Sequence, residues 1–362
     1  MRLVSPLLKH VVYPSLSKAG YLRRAAREPA VLTYHGVLPA RYKIVDPDLD
    51  GNLVSADSFR QQLTLIKEQY NVVSPNEFRL WCEADHELPP RSVLLTCDDG
   101  LQNSLFDMLP ILEEFELECL FFVTGASLSH TPTMLWYEEL YLMFLVARER
   151  FALEMPEVGM RAAASQREKR SLWWELVRKL SQFDLNERRK FLKKIRMQLK
   201  LADGWDAEYH EDPVFSRRFL MLNQPDLHQL ARAGMCIGTH TLSHPVLSQA
   251  TQDVAWSEIS ESKLDLEKLL GQEIWALAYP FGDSSSVTPR EVRMAERAGF
   301  QCAFLNADGG FGTQTSKFAL PRVHVTAEMT LPEFAARLSG VHRSLQNLFR
   351  PASARAAVGS NA

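Results

Sequence analysis

A chain of 362 residues with 46% hydrophobic and 23% charged residues is long enough to bury a substantial core, as one elaborated α/β domain or two ordinary domains. Its formal net charge of −3 is nearly balanced, so the totals give no indication of a nucleic-acid partner. The five cysteines are scattered without a C-x-x-C pair, which argues for reduced thiols and against a disulfide framework or a structural zinc knot.

Residues 1–28 form a basic, loosely amphipathic lead-in. Pro6, Lys9, His10 and Pro14 interrupt its apolar residues, so it lacks the continuous core of a signal peptide. The longest obvious apolar run, 140–147, is also far below the roughly 18 residues that span a bilayer. We therefore expect a cytoplasmic protein, in which the lead-in packs on the fold or makes a peripheral membrane contact.

Strands and helices alternate from residue 31 onward. Short apolar runs predict strands at 31–34, 71–73, 92–96 and 119–123. Helices are predicted after Ser55, at the capping box Ser74-Pro75-Asn76-Glu77, and after the third strand, where the helix tolerates or bends at Pro110. This alternation is typical of a parallel α/β sheet or barrel.

The alternation stops between residues 126 and 225, which we interpret as a helical insertion. Charged and aromatic residues predict helices there at 135–151, 166–182 and 186–201. The excess of basic residues is most simply a solvated face, and a surface for an anionic lipid or a polyanionic glycan is the functional alternative. The basic residues are Arg167, Lys169, Arg170, Arg178, Lys179, Arg188, Arg189, Lys190, Lys193, Lys194 and Arg196.

The strand-and-helix pattern resumes after Pro225. Strands are predicted at 235–239, 274–278, 302–305 and 320–325, separated by helices, and a capping box from Thr330 to Glu333 opens a final helix. The small and polar residues of 346–362 predict a disordered tail. The predicted organisation is thus a barrel over 29–345 that the insertion 126–225 interrupts.

Polar residues follow four of the predicted strands, as Asp98-Asp99, His240 with His244, Tyr279–Gly282 and Arg322–His324. The carboxyl ends of the strands of a parallel barrel open on one face, where active sites are built. We therefore expect these residues to meet in one pocket.

The acids and histidines of these motifs have the composition of a catalytic metal site. Two adjacent carboxylates are costly to bury unless a cation or a proton uses them, although an Asx turn capping the next helix also fits Asp-Asp-Gly. His240, His244 and Asp99 would provide three ligands and leave one position open, as catalytic zinc requires. Asp98 could then act as general base and take a proton from metal-bound water.

At these residues the sequence resembles the polysaccharide deacetylases, the carbohydrate esterase family that shares the NodB homology domain. The family motif Thr-Phe-Asp-Asp-Gly stands here as Thr96-Cys97-Asp98-Asp99-Gly100, and His-Ser/Thr-x-x-His stands as His240-Thr241-Leu242-Ser243-His244. The resemblance covers about 30–125 and 226–340. It implies an α/β fold, a distorted (β/α)7-8 barrel of the NodB type.

The resemblance also implies a function, that of a hydrolase of carbohydrate metabolism. A divalent metal, with zinc favoured, would be held by Asp99, His240 and His244, and Asp98 would be the general base. Attack of metal-bound water on an N-acetyl amide would release acetate from a sugar of a polysaccharide or glycolipid. Two imidazoles and a carboxylate also accept cobalt and nickel.

The sequence departs from the family pattern at two places. Cys97 replaces an aromatic residue, which we expect to alter only wall packing. The third family motif lacks its usual arginine in Ala278-Tyr279-Pro280-Phe281-Gly282, and we predict that Arg322 reaches Asp98 instead. The backbone N–H of Phe281 would then help to hold the oxyanion. His324 is the candidate general acid, and His35 is a second histidine that could line the same pocket.

Three alternatives remain from the sequence. The same chemistry would serve an O-acetyl esterase or a deformylase acting on a lipid-linked sugar. The missing motif arginine also fits a glycan-binding pseudoenzyme. Finally, the basic insertion 126–225 could be a module that docks on a membrane or a partner.

Overall fold

The computed structural model describes residues 4–26, 28–83, 87–156, 159–311 and 315–349. In this part of the chain the strands are β1 (Ala30–Tyr34), β2 (Asn71–Val72), β3 (Ser92–Cys97), β4 (Leu120–Val123), β5 (Phe151–Met155), β6 (Gly159–Ala163), β7 (Cys236–Thr239), β8 (Ala276–Ala278), β9 (Cys302–Phe304) and β10 (Val323–His324). All but β5 and β6 belong to one sheet.

The main sheet is parallel and curls toward a barrel. Its order is β10-β1-β3-β4-β7-β8-β9, with β2 beside β3. The segment 317–322, which leads into β10, pairs with β9, since Ala303 N–H donates to the Lys317 carbonyl and Leu320 N–H to the Ala303 carbonyl, each over 2.9 Å. The curled parallel sheet, with helices in the connections, confirms the predicted fold class.

The α-helices that surround and extend the sheet are Val4–Leu7, Tyr13–Lys18, Tyr21–Ala25, Pro47–Asp50, Ala56–Gln69, Pro75–Cys82, Leu109–Glu114, Trp136–Val146, Gln166–Leu180, Leu185–Gln198, Ala207–Glu211, Pro213–Phe219, Gln224–Arg232, Gln252–Leu270, Pro289–Arg297, Leu331–Leu338 and Val341–Phe349. Ser55 caps the helix that it precedes, and Ser74 and Glu77 form the predicted capping box. A π-helical segment, Ser104–Met108, precedes Pro110, where the missing N–H of proline cannot continue the regular ladder.

The sheet buries side chains on both of its faces. On one face, side chains such as Leu32 and Leu95 pack under the outer helices and form a hydrophobic core with them. The other fills the barrel interior, where Phe122 packs among Leu94 and Phe304. A side chain at Gly238 of β7 would lie 2.6 Å from the Phe122 ring, so only glycine lets that ring fill the interior.

The insertion has its own apolar core, which includes Leu140, Phe144 and Leu176 and reaches Val246 and Phe281 of the barrel. The predicted helix 135–151 is wrong only in its last five residues, because the helix ends at Val146 and β5 begins at Phe151. β5 and β6 form an antiparallel hairpin. Leu153 and Met155 are buried while Ala152 and Glu154 are exposed, a period of two that overrides the helical pattern there.

Helices near the two ends of the described chain pack against each other. Tyr13 is buried and its hydroxyl lies 2.6 Å from Nδ1 of His342, so the lead-in contacts the C-terminal helices. Within the described residues, none of the helices combines the length and apolarity that crossing a membrane demands. Of the predicted tail 346–362, residues 346–349 continue the last helix, and residues 350–362 lie outside the described part of the chain.

A buried ion network joins the insertion to the helix Pro47–Asp50. Arg218 is fully buried, donates to Asp50 over 2.6 Å, and forms a two-point contact with Glu138 at 2.9 and 3.1 Å. Its guanidinium also donates to the Leu49 carbonyl. Because both carboxylates are buried, their negative charges depend on the Arg218 guanidinium for compensation.

Replacing Arg218 by methionine is expected to lower the free energy of unfolding by about 3–5 kcal/mol, because two buried carboxylates lose their partner. Urea denaturation of the variant and the parent measures the change. The neighbour Arg217, 41% exposed in its ion pair with Asp107, provides the matched control. Its methionine variant should lose about 0–1 kcal/mol of unfolding free energy. Equal losses at the two positions would show that burial does not determine how much Arg218 contributes to stability.

Candidate active site

Three predicted ligands meet at the carboxyl ends of β3 and β7. Asp99 Oδ1 lies 3.5 Å from Nε2 of His240 and 3.3 Å from Nε2 of His244. All three side chains are buried, and their ligating atoms lie within 4.8 Å of one another. The chain therefore brings one carboxylate and two imidazoles together, as the motifs predict.

The donor set of this cluster fits a divalent metal. Donors placed 2.0–2.2 Å from one tetrahedral ion lie roughly 3.3–3.6 Å apart, which matches the two measured separations. Asp99 Oδ1 is buried and makes no hydrogen bond among the described residues. His240 donates its Nδ1 proton to the Ala278 carbonyl over 2.7 Å, which leaves the Nε2 lone pair directed to the cluster.

The backbone around the cluster is strained. Asp99, Thr241, His244 and Phe281 have φ values of 74°, 67°, 55° and 60°. Residues other than glycine rarely adopt this left-handed region, and such strain often marks functional sites. These residues lie directly after the strands, where His244 meets Asp99 and packs against Phe281.

Arg322 forms the predicted contact with Asp98. Its two terminal nitrogens donate to the two carboxylate oxygens over 2.7 and 2.6 Å, and both residues are buried. The guanidinium is held in turn by the Leu305 carbonyl at 2.8 Å and the Thr96 hydroxyl at 3.1 Å. Asp98 Oδ2 lies 3.9 Å from Nε2 of His240, so this carboxylate lies beside the cluster.

Charge pairing determines the protonation of both acids. Burial alone would raise the pKa of Asp98, but the Arg322 guanidinium and His240 bring it below its ordinary value. Burial also opposes ionisation of Asp99, and contact with His240 and His244 nevertheless holds its pKa well below the usual range. Both carboxylates are therefore ionised near neutral pH.

The two histidines considered as acids lie together on the cavity wall. The rings of His35 and His324 have centroids 5.0 Å apart, and Nδ1 of His35 and Nε2 of His324 are buried without a hydrogen-bond partner in the described residues. Burial, aided by His35, lowers the pKa of His324 to about 3. His324 is thus a neutral imidazole at neutral pH.

The cavity that contains these residues has a volume of about 750 Å³. Phe281 lies on its wall, with its ring 4.8 Å from that of His244. Cys97 does not reach the cavity but is fully buried in the core, which agrees with a packing role. The insertion contributes Tyr137, Trp173 and Trp174 to the wall.

A buried arginine of the insertion holds the loop that carries His244. Arg188 donates to the Ser243 hydroxyl over 2.6 Å and to Glu258 over 3.2 Å. Glu258 accepts in turn from the Ser243 N–H at 2.8 Å, and Trp136 donates to the His244 carbonyl at 3.3 Å. The burial of Arg188 corrects the prediction of a solvated basic face at this position, because its hydrogen bonds to Ser243 and Glu258 hold the guanidinium away from water. Lys169 of the same basic run is also buried.

Replacing Arg188 by alanine is expected to weaken zinc binding by about 10–100-fold, because the loop of His244 loses its fixed position. Competition with a fluorescent chelator measures the zinc affinity. Lys190, exposed on the same helix, gives the matched control and its alanine variant should bind zinc normally. Unchanged affinity in Arg188→Ala would show that the loop holds its shape without the guanidinium.

Comparison with known proteins confirms the resemblance to polysaccharide deacetylases. The family model described as polysaccharide deacetylase matches residues 202–303, which include the His240 and His244 motif. The protein named "Putative polysaccharide deacetylase YxkH" of Bacillus subtilis (strain 168) is 26% identical over 120 residues, 33% of this chain and 42% of that protein. The aligned region therefore spans less than half of the curated relative.

Solved structures share the fold. The Streptococcus pyogenes deacetylase PplD, in complex with acetate, is 19% identical with a TM-score of 0.53, covering 86% of this chain and 98% of its own. IcaB from Ammonifex degensii is 17% identical with a TM-score of 0.53, covering 86% of this chain and 97% of its own. At these identities the likeness concerns the fold alone.

Proposed function

We propose that this relative of the polysaccharide deacetylases is a divalent-metal-dependent hydrolase that removes N-acetyl groups from a sugar of a polysaccharide or glycolipid. The observation that carries the proposal is the cluster of Asp99, His240 and His244 beside an ionised, arginine-bound Asp98. These groups line a cavity large enough for a sugar. Zinc is the ion that the donor set favours.

Each side chain has a proposed role in the hydrolysis. A divalent ion held by Asp99, His240 and His244 would polarise the amide carbonyl and lower the pKa of water. Asp98 accepts the proton of the attacking water, and Arg322 orients that carboxylate and keeps it ionised. The C–N bond then breaks, giving acetate and a free amine on the sugar.

The remaining roles concern the oxyanion and the leaving amine. The backbone N–H of Phe281 would stabilise the oxyanion, because Phe281 lies on the cavity wall next to His244. His324 is neutral at pH 7, so it would pass on to the amine the proton that Asp98 takes from the attacking water. This transfer returns both Asp98 and His324 to their starting protonation states.

The position of Arg322 argues against the pseudoenzyme. That alternative depends on the missing motif arginine, and Arg322 supplies the same kind of two-point contact to Asp98. All five cysteines are free thiols, which supports the proposed cytoplasmic location. A peripheral membrane contact through residues 1–28 stays part of the proposal.

The test is acetate release by zinc-loaded protein from N-acetylglucosamine oligosaccharides. We expect release that stops on chelation and returns with zinc. Parallel substrates carrying O-acetyl esters or an N-formyl group separate the alternatives, since preference for either would assign an esterase or a deformylase. Zinc-loaded protein that cleaves none of the three acyl groups would contradict the proposal.

A further inference from the structure

The active-site cavity continues into a second cavity over the insertion. The second cavity has a volume of about 710 Å³, and both cavities are lined by Trp174, Arg178 and Gln249. Trp174 and Arg178 lie one turn apart on the helix Gln166–Leu180. The shared lining makes one groove that runs from the Asp99 cluster to the basic side of this helix.

An aromatic path joins the two ends of the groove. The His244 ring lies 4.8 Å from Phe281, and Phe281 lies 5.6 Å from Trp174. The Arg178 guanidinium lies 6.0 Å from the Trp174 ring centroid. Trp174 is half-buried, so part of its face remains available to a ligand. A sugar bound with its amide at the cluster would therefore place the neighbouring sugar near Trp174 and Arg178.

The charges along the groove leave its outer end positive. Of the acids that line the two cavities, apart from Asp98 and Asp99, three are paired with arginines: Asp48 with Arg170, Glu138 with Arg218, and Glu175 with Arg161. Asp283 accepts hydrogen bonds from the hydroxyls of Ser285 and Ser286 and lines only the active-site cavity. Among the described residues, Arg178 and Lys179 contact no carboxylate. Two uncompensated cations at one end of a groove favour an anionic ligand.

We propose that this outer end binds the anionic group of an acidic sugar that neighbours the acetylated one. Trp174 would stack on the sugar ring, while Arg178 and Lys179 would bind its carboxylate or phosphate. The substrate is then an acidic glycan. The proposal rests on the proposed function for the inner end of the groove, but the binding of an anion at Arg178 can be measured by itself.

The experiment compares three N-acetylated probes: a neutral N-acetylglucosamine tetramer, a hyaluronan tetrasaccharide with carboxylates, and a phosphodiester-linked N-acetylglucosamine oligomer. Binding is followed by tryptophan fluorescence and turnover by acetate release, with Arg178→Ala against the parent. Arg167→Ala is the matched control, because Arg167 is exposed on the same helix and lines neither cavity.

The parent should bind at least one acidic probe more tightly than the neutral tetramer, and Arg178→Ala should lose about tenfold in that affinity alone. Whichever acidic probe is preferred identifies carboxylate or phosphate as the group. Acidic binding that depends on Arg178 without any acetate release would support the subsite and count against the proposed function. Acetate release with equal affinity for all three probes, or no binding of either acidic probe, would overturn the subsite.

Discussion

Replacing Asp98 by asparagine should lower kcat/KM for acetate release by about 10²–10⁴-fold, the usual contribution of a positioned general base. Asparagine keeps the size and shape of the side chain but cannot take up the proton of the attacking water. Zinc affinity should remain close to that of the parent, because Asp98 lies outside the cluster of Asp99, His240 and His244. The measurement is steady-state acetate release together with zinc titration.

A matched control separates catalysis from stability, since Asp98→Asn also leaves Arg322 buried without its anion. Asp50 is likewise a buried aspartate paired with a buried arginine, Arg218, but lies outside the proposed machinery. Asp50→Asn should destabilise the fold without a comparable loss of kcat/KM at a temperature where the protein remains folded. Activity near the parental level in Asp98→Asn would contradict its role as the base.

Replacing Arg322 by methionine should move the acidic limb of the pH profile of kcat/KM to higher pH. The guanidinium opposes the effect of burial on Asp98, so its removal raises the pKa of that carboxyl. A base with a higher pKa is protonated over a wider acidic range, and activity is lost there. A profile of kcat/KM from pH 5 to 9 for the parent and the variant measures the shift.

Arg322→Lys is the informative companion variant. Lysine keeps the positive charge but cannot form the two parallel contacts of guanidinium with carboxylate. Its acidic limb should lie between those of the parent and Arg322→Met. If all three proteins show the same limb and differ only in amplitude, Arg322 is a structural support and does not set the protonation of Asp98.

The cluster of Asp99, His240 and His244 can be predicted from the sequence because each signal for it lies within a short stretch of the chain. Asp98, Asp99, His240 and His244 each follow a short apolar strand, and a parallel sheet brings such strand ends to one edge. The contact of Arg322 with Asp98 is predictable for the same reason, because Arg322 directly precedes β10, which pairs with β1 beside β3.

The contributions of the insertion were not predictable in this way. Arg188 belongs to a basic run whose helical pattern predicts exposure to solvent. Its partners Ser243 and Glu258 lie 55 and 70 residues further along the sequence. Nothing in the local pattern indicates that the guanidinium is buried there. Trp174 likewise fits an ordinary core position until the tertiary packing brings it next to Phe281.

These contacts also bear on whether the insertion is a separable module. Arg188 and Trp136 donate hydrogen bonds to the loop of His244, so deleting 126–225 would remove supports of the candidate metal site. Docking on a membrane or a partner stays a prediction of the sequence. Point variants of exposed basic residues, assayed by liposome co-sedimentation, test it without disturbing the cavity.

The most direct test of the central claim is elemental analysis of the protein purified without added metal, beside His240→Ala. The cluster predicts about one divalent ion per chain, which is either zinc or an ion that zinc can displace. The His240→Ala variant should lose both this ion and acetate release. Parent protein that contains no such ion and does not take up zinc, or a His240→Ala variant that retains the same ion content, would contradict the assignment of Asp99, His240 and His244 as a metal site.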